Sequence, residues 1–487
     1  MATSPFDTTS RTLLVRLTEA AAASTSLVPL QVLGDGGGAP STGLVDLDKA
    51  LTASGDVLIW RICQPLGRRA SRGGRSIAAQ ISATLRERLA RTLVIIAKDI
   101  SVFTKLSANL KRSAEIERVE AAVPRTAAGP TNIPGLPGPQ DQHLPKQWSL
   151  TAIQWKKLSI QAKNAEAACD VGVIDTRILT FNPDLPASKV IPAKDFVTNE
   201  GYTAEDSTHG TAVASILGAT MTLGPTKPFD SPTGMVGVHP RARLCSAVVL
   251  RNTNPNGDKA SSAEMCAALV YLADGPNKAL ADSPRARVIN ISIAGSESSS
   301  TEREAIYYAL ARGALVVAAS GNRGKDQPDY PARYEAEHGS VSPPWTESTS
   351  VQLALWGLSA ALLVVGAVCE EETEGAGFPL YDKSNAVGER GIVAPGEEVL
   401  AINNEGHCEW MSGTSFAAPH VSGAASLLIA VYNALGKTTP SNTTLARILR
   451  STASPEKLAP PEADGPVEPR WYGKGLLDVK AAVENIS

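Results

Sequence analysis

From about residue 146 onward the chain alternates between two apolar patterns, and this alternation limits the fold more than any other feature. Five runs are continuously apolar: ACDVGVID (168–175), ARLCSAVVL (242–250), ARVINISIA (286–294), GALVVAAS (313–320) and LLVVGAV (362–368). A strand with one wet face alternates, so unbroken runs call for strands covered on both faces. Between them lie HGTAVASILGAT (209–220), SSAEMCAALVYLAD (261–274) and STEREAIYYALARG (300–313), whose apolar residues recur at helical spacing. Strands alternating with helices imply an α/β fold with a mostly parallel sheet flanked by helices. In such sheets functional residues gather beyond the carboxyl ends of the strands.

The preceding residues form a separate unit. Residues 1–125 contain the strand-like runs TLLVRL, DVLIW and TLVIIAKD and a helical stretch, SIAAQISATLRERLARTL, interrupted by the loop GDGGGAPSTG. The segment PRTAAGPTNIPGLPGPQDQHLP (124–145) is rich in Pro and Gly and reads as an exposed linker, with 126–145 assigned to it and 146–487 to the larger domain. Charge is unevenly divided. Residues 61–125 carry 14 Lys/Arg against five acids, a balance of +9, so the rest of this chain of net charge -3 carries -12. That split suits a basic segment docked on an acidic partner domain, although a solvated basic surface explains it equally. The overall balance gives no reason to propose nucleic acid as a partner.

A hydrophobic share of 43% with 40 Gly and 33 Pro describes a globular protein with many turns. Its six cysteines stand far apart with no metal-ligand spacing and read mainly as buried free thiols. MATSPFDTTSRTLLVRL has no basic segment leading into an apolar one, so no secretory signal is read, and a cytoplasmic location is favoured over export by an atypical route. Residues 351–368 approach the length of a membrane span, yet their second half reads as a buried strand, and no membrane partner is expected.

Four residues carry chemistry as a set. Asp175 ends the first strong strand (VGVIDTRI), His209 opens a small-residue helix (HGTAVASI), Asn322 follows a buried strand (ASGNRG), and Ser415 lies in GTSFAAPHVSG. Singly, each has an ordinary reading as a turn, cap or core residue. Together they supply the parts of acyl transfer: a serine nucleophile, a histidine base, an aspartate that fixes the imidazole tautomer, and an amide donor for the oxyanion. Ser415 is expected near a helix N-terminus, whose N–H groups help hold the oxyanion, and Pro419 in that helix's first turn.

The order Asp–His–Ser with the flanks VIDT, HGT and GTSFAAPHVSG resembles the subtilases, the subtilisin-like serine proteases. QWSLTAIQ (147–154), VINISIAG (288–295), YPA (330–332), IVAPG (392–396) and GKGLLDVKAAV (473–483) extend the likeness over about 146–487. The resemblance implies a three-layer subtilisin-like fold and a serine endopeptidase with Asp175, His209 and Ser415 as triad. Asn322 would be the oxyanion donor, worth roughly 10²–10³ in rate, a figure that comes from a protease of this same family. It further implies a substrate cleft lined by Ser292, Ile293, Ala294 and Gly295, which pair with an extended peptide, and by Ala319, Ser320 and Gly321. The end of the N-terminal zone, IERVEAAVP, is similar to that of a subtilase propeptide, an inhibitory folding domain, and implies a zymogen whose partners are a protein or peptide substrate and its own N-terminal domain. No cofactor is required and no metal site is assigned, calcium being the structural ion the family allows. Arg177 and Ala212 depart from the family pattern without touching a catalytic position, and 333–357 reads as an insertion. Two other readings stay open: a cytosolic processing or signalling protease activated by a partner, and a catalytically silent protease-like binding module.

Overall fold

A computed structural model describes residues 11–25, 31–33, 42–52, 57–63, 77–127, 146–196, 208–221, 235–252, 258–275, 286–339, 349–371, 375–459 and 468–486. Most of the glycine-rich loop, residues 128–145 of the expected linker and 340–348 of the insertion lie outside them.

The N-terminal unit is built from β1 (Thr12–Leu17), β2 (Gln31–Leu33), β3 (Val57–Arg61), β4 (Thr92–Ala97) and β5 (Ile116–Ala121). They form an antiparallel sheet in the order β2-β3-β4-β1-β5, accompanied by helices that include Ile77–Ala90 and Ile100–Leu110. Side chains on a strand point alternately to opposite faces. Leu13, Val15 and Leu17 of β1 accordingly enter a small core with Leu93, Ile95 and Leu106, while Leu14 faces the main core of the protein and Arg16 is buried beside it. One face of this sheet therefore closes the unit's own core, and the other is covered by the helix Ile77–Ala90 together with the larger domain.

A short strand, β6 (Pro124–Ala127), follows. Beyond it come β7 (Asp170–Asp175), β8 (Val190–Asp195), β9 (Arg243–Val248), β10 (Arg251–Asn252), β11 (Asp258–Ser261), β12 (Ala286–Ile291) and β13 (Ile293–Ala294). The last strands are β14 (Leu315–Ala319), β15 (Leu362–Val368), β16 (Ile392–Pro395), β17 (Val399–Ile402) and β18 (Cys408–Met411). Seven of them make the main sheet, β16-β15-β14-β12-β7-β9-β8, parallel throughout. Its central members are buried at nearly every residue, as their continuous apolar runs require.

The helix Thr414–Ala434 packs on β12, β14, β15 and β16 and against the helix Thr208–Gly218. A second pair, Ser262–Asp274 and Ser300–Ala311, packs together, the first on β7, β9 and β12 and the second on β14, and Ile77–Ala90 of the N-terminal unit lies on Ser300–Ala311. From β7 the chain first builds outward through β8 and β9, then returns to add β12 on the other side. The crevice at the carboxyl ends of β7 and β12 is thus a topological switch point.

One helix among the described residues, Thr414–Ala434, is long and apolar enough to cross a membrane, and its apolar window is entirely buried inside the protein. The apolar run 351–368 divides into most of a helix, Thr349–Ser359, and β15. Thr126 and Ala127, expected in an exposed linker, belong instead to β6, because main-chain partners from two other segments complete its hydrogen bonds. All six cysteines are free, four of them buried.

Candidate active site

Asp175 ends β7 and is fully buried. Its Oδ1 lies 2.7 Å from His209 Nδ1 and also accepts the Thr176 N–H at 2.7 Å. A carboxylate can only accept here, so Nδ1 carries the proton and the basic lone pair falls on Nε2. His209 is the second residue of its helix, and the next residue must be glycine: a Cβ on Gly210 would run into the Thr176 carbonyl oxygen. The Gly210 N–H donates to Thr176 Oγ1 at 2.8 Å, closing the helix start onto the end of β7. The His209 ring packs against Phe416, centroid to centroid 5.6 Å, which sets it beside the residue following Ser415.

Ser415 is the second residue of the helix Thr414–Ala434, whose N-cap is Gly413. It caps nothing. Its hydroxyl donates to the Ser292 carbonyl at 2.9 Å, so handing that proton to His209 requires the bond to be exchanged. Pro419 stands six residues into the helix rather than in its first turn. Having no N–H, it leaves the Ser415 carbonyl without its intrahelical donor, and the Ser292 hydroxyl donates to that oxygen at 2.8 Å. Pro419 therefore opens a bond that ties Ser415 to the end of β12. Asn322 is held by its amide oxygen, which accepts from Thr414 N and Thr414 Oγ1, both at 2.9 Å. Its amide nitrogen must then point the other way, as a donor.

The expected substrate-binding residues divide into two groups. Ile293 and Ala294 form β13 and pair antiparallel with β6 of the chain's own N-terminal part, Ile293 opposite Ala127 and Ala294 opposite Thr126. On its other edge β6 pairs antiparallel with β11, Lys259 opposite Thr126, Ala260 opposite Arg125 and Ser261 opposite Pro124. An extended segment thus fills the slot between two short strands, in the β-augmentation manner. Gly295 lets it come close, since a Cβ there would sit 2.5 Å from the Pro124 carbonyl oxygen and 2.7 Å from Arg125 Nη1. Ala319, Ser320 and Gly321 contact other partners: Ser320 Oγ donates to Asn385 O at 3.0 Å, and the Gly321 N–H donates to Thr414 Oγ1 at 3.2 Å.

Arginines from the basic N-terminal segment, and Arg16 before it, meet acids of the larger domain. Glu304 accepts from Arg16 Nη1 at 3.1 Å and Nη2 at 2.5 Å, and from Arg88 at 3.1 and 3.2 Å. Arg86 lies 2.9 Å from Asp274. Glu120 accepts from Ser299 Oγ at 2.7 Å, Ser300 Oγ at 2.5 Å and Thr301 N at 3.2 Å, a negative charge at the N-terminus of the helix Ser300–Ala311. Arg177 forms a surface ion pair with Asp195 at 3.2 Å.

Sequence reasoning missed β11, Glu302 and Tyr334. The motif Ser261-x-x-Glu264, a capping box that starts the helix after β11, was the available local signal for β11's end. Nothing near Glu302 or Tyr334 in the chain marks them. Among the described residues no three His, Cys, Asp or Glu side chains converge on a metal position.

Residues 167–475 match the model of the subtilase family. Subtilisin DY of Bacillus licheniformis is 30% identical over 326 residues, spanning 67% of this chain and 94% of that protein. Thermitase of Thermoactinomyces vulgaris is 27% identical over 291 residues, 60% of this chain and 81% of its own. Among solved structures, fervidolysin from Fervidobacterium pennivorans, a keratinolytic enzyme related to subtilisin, superposes with a TM-score of 0.62 at 19% identity. That match covers 99% of this chain and 62% of the fervidolysin chain, so this chain spans less than two thirds of that protein.

Proposed function

The chain belongs to the subtilase family and is a serine-type endopeptidase, and on that premise we propose that Asp175, His209 and Ser415 are its triad and that residues 1–127 hold it inactive. The carrying observation is the buried 2.7 Å contact between Asp175 and His209, with Ser415 at a helix start and bonded to the end of β12. In the proposed reaction Ser415 Oγ attacks the scissile carbonyl carbon while its proton passes to His209 Nε2. Asp175 accepts from Nδ1–H throughout and stabilises the imidazolium. The C–O bond forms, the carbonyl π electrons move onto oxygen, and Asn322 donates its amide N–H to that oxyanion. Collapse expels the amine, which takes the proton from His209, and water repeats the sequence to release the acid. Neither half requires a cofactor. Calcium is left without an assigned ligand set.

The inhibitory reading rests on β6, which occupies the slot an extended substrate would need, and on the buried ion pairs that anchor the unit carrying it. Maturation is then a cut beyond residue 127 that frees the slot. Hydrolysis of a protein substrate by the wild type, abolished in Ser415→Ala, supports the triad, whereas equal hydrolysis by both overturns it. Intact-mass analysis of the same pair tests maturation: shortening of the wild type alone supports it, and two full-length chains under conditions of measurable activity contradict it.

A further inference from the structure

The side chain of Arg125 is buried within the protein. It leaves β6 between β11 and β13 and forms a two-point ion pair with Glu302, in which Nε lies 2.9 Å from Oε1 and Nη2 contacts Oε2. Both side chains are 0% exposed. The Tyr334 hydroxyl lies 2.9 Å from Glu302 Oε2 and accepts the Ser299 N–H at 2.8 Å, which fixes the far side of the carboxylate. Arg125 Nη1 donates to the Pro124 carbonyl at 2.9 Å, and Gly295 supplies the room. A charge desolvated to this degree is tolerated only when paired in good geometry. With the segment withdrawn, Glu302 loses this counter-charge, and Tyr334 is left beside a carboxylate that a second cation would neutralise.

We infer that Glu302 and Tyr334 form an arginine-selective subsite for substrates, which β6 occupies with Arg125. This rests on the endopeptidase reading and names its substrate class. A substrate in the register of residues 124–127 has its next residue opposite Ser292, whose carbonyl is bonded to Ser415. The arginine is then the fourth residue before the scissile bond. The planar fork of guanidinium suits the carboxylate, and lysine, a single point charge, satisfies it less well.

The test compares the coumarylamides of Ac-Arg-Thr-Ala-Ala and its citrulline analogue, which keeps the shape and loses the charge. Full-length wild type, a portion of which is shown active by Ser415-dependent labelling with a fluorophosphonate, should favour arginine by about 10²-fold in kcat/KM, because citrulline still donates hydrogen bonds but leaves the Glu302 charge without its counter-charge. Glu302→Gln should reduce the preference to about threefold or less. If that variant does not fold because Arg125 is stranded, Arg125→Gln with Glu302→Gln removes both charges and gives the same reading. Equal cleavage of the two peptides by untreated wild type, from a preparation of which a separate portion labels on Ser415, overturns the subsite, as does a preference that survives loss of the Glu302 charge. Absence of labelling in wild type and also in Arg125→Ala, in which the anchor of β6 in the slot is removed, overturns the endopeptidase reading instead. The subsite is then read from fluorescein-labelled RTAA binding to full-length Arg125→Ala/Ser415→Ala: tighter binding than the citrulline peptide supports it, and equal binding refutes it.

Discussion

Replacing Glu304 by glutamine should release the N-terminal unit while leaving the protease fold intact. The carboxylate receives Arg16 and Arg88, both from the N-terminal unit, and the Arg16–Glu304 side chains are only 1% and 3% exposed. Stripping one charge from a buried pair costs about 3–5 kcal/mol, because the other charge stays desolvated. The lower end applies here, since Arg16 keeps Glu117 at 3.8 Å and an amide still accepts one hydrogen bond. About 3 kcal/mol is roughly a 10²-fold rise in the open population. If β6 gates the cleft, fluorophosphonate labelling of freshly purified, full-length chain should accelerate by that factor. Adding Arg16→Met removes the stranded charge and should slow labelling again. An unchanged labelling rate in a Glu304→Gln chain with native circular dichroism would refute the claim that these ion pairs hold the cleft shut.

Asp175→Asn should lower kcat by roughly 10⁴ with the thermal midpoint little changed, since an amide can hold the imidazole in the wrong tautomer; a loss under tenfold in steady-state assays contradicts the assignment. Gly210→Ala should cost both stability and activity, because its methyl group meets the Thr176 carbonyl and pushes the His209 helix off β7; native-like denaturation and full turnover would speak against that packing. Burial pushes the His239 and His420 imidazoles down to about 4, against which their backbone hydrogen bonds act only in part. Between pH 6.5 and 4 the unfolded chain binds protons that these folded histidines refuse, so stability falls on acidification, by up to about 3 kcal/mol for each. Urea denaturation at pH 7 and 4.5 should show that loss, and a flat profile would contradict it.

The main sheet was legible because strands covered on both faces write themselves as unbroken apolar runs. The candidate triad was legible because each member sits in a short local motif at a strand end or helix start. Contacts between distant segments were not. Arg125 and Glu302 stand 177 residues apart and look, in sequence, like any two solvated charges. Residues 124–127 belong to a Pro- and Gly-rich stretch with no strand signal of its own, and only β11 and β13, supplied from elsewhere, give them one. Pro419 misled for a related reason. A proline inside a helix normally breaks it, but the carbonyl it frees finds the Ser292 hydroxyl, a partner from another segment. The charge split of the N-terminal segment was readable as a hint of docking, and the pairs Arg86–Asp274 and Arg88–Glu304 give it a physical form.

The most direct measurement is the site of covalent modification. Full-length protein treated with a fluorophosphonate, digested and sequenced by mass spectrometry should carry its adduct on Ser415, and the adduct should disappear in His209→Ala, where no base remains to activate the hydroxyl. An adduct on another serine, or one on Ser415 that forms equally fast without His209, would contradict the proposed triad.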